Sequence, residues 1–151
     1  MIDTDVALLI AVFGSHDNGK IEGRTRIQKE ICLLKFQSEI PFTFNYKSYY
    51  YGPYSEDLSE TINTLVGVKL LKETMVSVGY NSYRYVYSLT EQGKKLSDKL
   101  FATKEPLIAK IKREIEKLEI IGTPELVLLA KAKSGMESTA KSSCVTRNQN
   151  E

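Results

Sequence analysis

The chain has 151 residues, 42% of them hydrophobic and 26% charged, with a formal net charge of +2. That is enough for one domain with a helix or two added, and the composition is that of an ordinary globular protein rather than a disordered one. No apolar run approaches the roughly 18 residues of a membrane span, and there is no export-type start, so a cytoplasmic protein without membrane partners is expected.

The net charge hides an alternation. Residues 1–23 carry four acidic and one basic side chain, 24–53 two and five, 54–66 only Glu56, Asp57 and Glu60, and 67–103 three and six. A nucleic-acid binder would have to fold the two basic segments onto one face.

Val6, Leu9, Ile10 and Phe13 repeat at i, i+3, i+4, i+7, which predicts a first helix over about 4–14 capped by Asp3 or Thr4. The turn GSHDNGK ends it, and His16, the one histidine, reads as a surface residue without metal-ligand neighbours. A second helix is expected over about 24–38, with Ile27, Ile31 and Leu34 on one stripe and Cys32, Leu33 and Phe36 widening it. Arg24 and Arg26 give its first turn the wrong sign for a helix N-terminus, which calls for a partner: acidic groups of this chain or a phosphate backbone. Cys32 reads as core, and the two cysteines form no metal or disulfide pattern.

After Pro41, alternation of Phe42, Phe44 and Tyr46 with Thr43, Asn45 and Lys47 predicts a short extended segment. Ser55 then caps a third helix over about 55–66, whose Glu56 and Asp57 suit the positive end of its dipole, with Gly67 as a left-handed C-cap. LLKETMVSV and YRYVYSL around GYNS predict a β-hairpin. Thr90 caps a fourth helix reaching Phe101.

Ile108, Ile111, Ile115 and Leu118 are spaced like a coiled-coil seam in a helix over about 105–121. Two heptads are too short to stand alone, so Ile108, Ile111, Ile115 and Leu118 are expected to hold a homodimer, the competing outcome being cover by the last helix, which starts at Thr123-Pro124-Glu125. Residues 134–151 have almost nothing to bury and read as a disordered tail. The expected fold class is therefore mainly α with a small β-hairpin (α+β), with a main domain at 1–101 and a helical extension at 102–133.

Two helices, an extended connection, a third helix, a hairpin and a closing helix follow the element order of a winged helix. YSLTEQGKKL, Tyr87 to Leu96, resembles the wing strand and following helix of many prokaryotic winged-helix regulators. GRTRIQKEICLLK and YYYGPYSEDLSETINTL resemble more narrowly a YwgA-like group of prokaryotic winged-helix proteins with a Tyr-Gly-Pro-Tyr-Ser element. The resemblance implies a winged helix-turn-helix that binds double-stranded DNA as a transcription regulator, the third helix in the major groove and the hairpin as wing. Two features depart from it: residues 39–53 separate the second and third helices, and the third helix begins acidic.

On that architecture, Arg24, Arg26, Lys29, Lys47 and Arg84 are the expected backbone contacts, followed by Lys94 and Lys95, with Tyr50 offering a hydroxyl from the run Tyr49 to Tyr51. The nine tyrosines, all between Tyr46 and Tyr87, otherwise read as an aromatic mini-core anchoring the wing and the connection. No phosphate loop, nucleophile–base set or metal cluster is present in the sequence, so neither catalysis nor a cofactor is expected. The alternative is a protein-interaction adaptor on the same scaffold, engaging a basic partner through the acidic third helix and exposed tyrosines.

Overall fold

A computed structural model describes residues 3–139. It is mainly α with a small antiparallel sheet: α1 (Thr4–Ser15), β1 (Lys20–Glu22), α2 (Arg24–Phe36), β2 (Lys47–Tyr49), β3 (Gly52–Tyr54), α3 (Glu56–Gly67), β4 (Leu71–Gly79), β5 (Ser82–Leu89), α4 (Glu91–Ala102), α5 (Pro106–Glu119) and α6 (Thr123–Ser134). The α+β class, the six helices and the long hairpin agree with the sequence reading. The expected tail lies outside the described residues from 140 onward.

The helix starts follow from side-chain caps. Asp3 accepts from the Asp5 amide, Ser55 Oγ from Leu58 N at 3.1 Å and Thr90 Oγ1 from Gly93 N at 3.0 Å. The left-handed position after α3 falls on Lys69 (φ 66°), not on Gly67, which is the last helical residue. Thr90 Oγ1 also donates to Lys69 O, and a Cβ on Gly93 would lie 2.2 Å from Leu70 O. Thr90 and Gly93 of the motif LTEQGKK thus let α4 start hard against the base of β4.

One three-stranded sheet has the order β1-β5-β4, so the hairpin gains a third strand that the sequence reading missed. Its register pairs Ile21 with Tyr87, and Leu71 with Leu89. Asn81 holds the hairpin turn at positive φ. The long connection is not a plain extended segment. Phe42 and Phe44 are buried as their alternation predicts, but the ladder forms later, where β2 pairs with β3 from Lys47↔Tyr54 to Tyr49↔Gly52.

The core is one cluster. Leu8 to Phe13 of α1, six consecutive residues, are all buried, and α1 packs on α4 and α5 while α2 packs on α6. Ile111 and Ile115 are fully buried and Ile108 and Leu118 are 6% and 5% exposed within the single chain. The expected dimer seam of Ile108, Ile111, Ile115 and Leu118 is corrected accordingly: those side chains are already covered, so α5 and α6 complete the core of residues 1–101. The amphipathic spacing told that α5 needs a partner, not which one.

Candidate functional site

A cleft of about 1000 Å³ opens between the start of α2, the β4–β5 hairpin, the β2–β3 hairpin and the junction of α5 with α6. Gly23 builds its floor. Its φ of 92° turns the chain from β1 into α2, a conformation that glycine adopts without steric cost, and its amide donates to Tyr85 O at 2.8 Å. The first turn of α2 is thereby fixed against the β4–β5 hairpin.

Arg24, Arg26, Lys29 and Arg84 all line this cleft, together with Lys20, Tyr49, Tyr51, Tyr54, Tyr83 and Tyr85. The structure gives Arg24, Arg26, Lys29 and Arg84 partners within the chain. Arg24 Nε donates to Tyr87 Oη, Nη1 to Ser59 Oγ at 3.0 Å and Nη2 to Asn63 Oδ1 at 2.7 Å, with Glu73 at 3.4 Å. Burial works against its charge, yet the bonds to Tyr87 and Glu73 outweigh this and hold the guanidinium above its ordinary value. Tyr87 donates in turn to Glu73, and burial together with that bond pushes its hydroxyl up to about 12 against the pull of Arg24.

Arg26 and Lys29 require correction as DNA contacts. Arg26 pairs with the fully buried Glu30 at 2.8 Å and donates to Leu118 O and Ile121 O, each at 2.8 Å, so it closes the C-terminal end of α5. Lys29 is 2% exposed and donates to Pro53 O at 3.0 Å. Both cations are thus engaged inside the chain. The wrong-sign first turn of α2 finds its partners inside the chain.

Arg84 pairs with Glu22 at 3.0 Å and Lys47 with Glu56 at 3.4 Å, both on the surface. Tyr50 is exposed on the β2–β3 turn and stacks on Tyr49, which also stacks on Tyr54. Lys94 and Lys95 are exposed on α4, away from the cleft.

His16, expected at the surface, is 7% exposed; its Nε2 lies 2.7 Å from Glu30 Oε1 and its Nδ1 3.5 Å from Glu119. No local sequence signal announces this, because Glu30 and Glu119 are distant along the chain. The tyrosines divide differently from the mini-core reading too. Tyr87 is fully buried, whereas Tyr49, Tyr50, Tyr51, Tyr80, Tyr83 and Tyr85 are exposed by 38–94%. Met75, Val76 and Val78 add exposed apolar surface to the β4–β5 hairpin that carries Tyr80, Tyr83 and Tyr85.

Among the described residues no group of acidic, histidine and cysteine side chains is arranged to hold a metal, and no helix is long and apolar enough to cross a membrane.

No protein-family model matches the chain. It is similar to the uncharacterized protein YwgA of Bacillus subtilis (strain 168), 39% identical over 92 residues that cover 61% of this chain and 53% of that protein. The chain thus spans about half the length of the curated relative it matches. The likeness supports the YwgA-like resemblance and carries no activity with it.

Proposed function

We propose that this chain is a cytoplasmic protein-interaction module on a winged-helix scaffold, and that the wing and the cleft beside it form its docking surface. The order α1, β1, α2, α3, β4, β5, with the short β2–β3 hairpin inserted between α2 and α3, supports the scaffold. The observation that carries the docking reading is a contrast within one site. Arg24, Arg26, Lys29, Lys47 and Arg84 each have an internal partner, while the wing leaves Met75, Val76, Val78, Tyr80, Tyr83 and Tyr85 in solvent. Aromatic and methionine side chains exposed together in one element are the composition of a protein interface.

DNA binding is the second reading, favoured by the convergence of Lys20, Arg24 and Arg84 on one cleft. A photo-crosslinking amino acid at Tyr83, compared with one at Lys112 on α5, separates the two. Discrete protein adducts from Tyr83 alone are expected. Nucleic-acid adducts, together with retention on DNA that falls steeply with salt, would overturn the docking reading and restore the regulator.

A further inference from the structure

β4 is an edge strand, since the sheet order is β1-β5-β4 and its outer side has no neighbour among the described residues. Natural sheets guard such edges with proline, lysine, short length or bulges, because a row of unpaired amide and carbonyl groups invites another strand. β4 is nine residues long and lacks proline; its lysine, Lys72, sits at the base, and its register shift lies at the tip between Ser77 and Gly79. From Lys72 to Gly79 every residue is exposed. The middle of the strand, Thr74 to Ser77, therefore carries none of these guards.

We propose that this edge takes an extended segment of a partner protein as a fourth strand, and that the segment alternates apolar with basic residues. The proposal rests on the docking reading above and names its mode. Strand addition supplies affinity through main-chain hydrogen bonds and specificity through alternate side chains.

The chemistry of the segment follows from what flanks the edge. Met75 and Glu73 point to the face shared with Tyr85 and Tyr87, and Lys72, Thr74 and Val76 to the opposite one, as the register requires. On the first face α3 packs against β4, while α2 packs against β1, so α3 lies on the side where a fourth strand would add. Glu73 of β4 and Asn63 of α3 share Nη2 of Arg24, which fixes that relation. Between residues 55 and 68 the charged side chains are Glu56, Asp57 and Glu60 only, all exposed; Glu56 pairs with Lys47 at 3.4 Å and Asp57 accepts from Asn45 N at 3.1 Å, so Glu60 carries most of the charge that a partner would meet. Apolar residues of the segment would cover Met75 and Val76, and its basic residues would answer the acidic side of α3. A second copy of this chain fits worse, because pairing β4 with β4 would bring two acidic α3 helices together.

Two fluorescent nine-residue peptides, one alternating Lys and Val and one alternating Glu and Val, test this by anisotropy against the full chain. The Lys–Val peptide should bind at least about tenfold more tightly than the Glu–Val peptide. Binding should slow amide hydrogen exchange within residues 72–78, the signature of a strand on that edge. Replacing Met75 and Val76 together by Lys should weaken it about tenfold or more with an unchanged circular dichroism spectrum, and Lys112→Ala, on the exposed side of α5, should leave it intact.

Equal binding of both peptides, binding without protection of 72–78, or binding indifferent to the Lys variants would overturn the proposal. Self-association that protects the same amides would do so as well, in favour of a second copy. If crosslinking at Tyr83 still yields protein adducts while the peptides fail, strand addition falls and the docking reading stands.

Discussion

His16 Nε2 lies 2.7 Å from Glu30 Oε1, tying the turn after α1 to the middle of α2. Glu30 is fully buried, and its second oxygen holds Arg26, which in turn holds the end of α5. Glu30→Ala would strand the Arg26 guanidinium in a closed space and leave the His16 ring without its carboxylate, so it should cost about 3–5 kcal/mol in urea unfolding. A loss below about 1 kcal/mol would show that the three groups are not acting together.

Gly93→Ala should destabilise by about 1–3 kcal/mol, because its Cβ would meet the Leu70 carbonyl rather than a side chain able to swing aside. Lys94→Ala next to it, exposed and outside the core, should stay within about 0.5 kcal/mol of the parent. Thermal melting of the two variants side by side checks the contrast.

Ile111→Ala should cost about 2–5 kcal/mol, as for other fully buried aliphatic side chains. The loss should be the same at low and high protein concentration, since the side chain is covered by its own chain. A melting temperature of the parent that rises with concentration, and a variant that loses that rise, would return Ile111 to a subunit interface.

Alkaline pH should weaken the fold. Burial pushes the Cys32 thiol from its ordinary 9.0 up to about 12, the Tyr87 hydroxyl to about 12, and Tyr46 well above 10.0. In each case the unfolded chain loses the proton first, so the native state binds more protons over this range and stability falls as pH rises from about 9 towards 12. Urea midpoints measured between about pH 8 and pH 11 should decline, and Cys32→Ala should flatten the early part of the decline. A flat profile would mean that these groups are open to water.

Local chemistry was legible in the sequence, and long-range pairing was not. Asp3, Ser55 and Thr90 act as the caps their positions announce, and the two apolar runs around GYNS form the β4–β5 hairpin. The spacing of Ile108, Ile111, Ile115 and Leu118 marked a face that must be covered, but periodicity is blind to whether the cover comes from the same chain. For the cations the gap is wider. A lysine or arginine in a sequence is a charge without a partner, whereas Arg26 and Lys29 owe their roles to carbonyls at residues 118, 121 and 53. β1 escaped notice because three residues around Ile21 are too few to show a period.

The continuous burial of Leu8 to Phe13 bears on how the molecule can be taken apart. A helix with no solvent face has no fallback when a neighbour is removed. Cutting the chain after Phe101 would strip α5 from α1 and α6 from α2, uncovering apolar surface on both oldest-synthesised helices at once. The amino-terminal part, although it holds the whole β4–β5 hairpin and most of the cleft, is therefore a poor fragment to express alone. It should aggregate rather than fold, and the ribosome must release the last helix before the first one is secure.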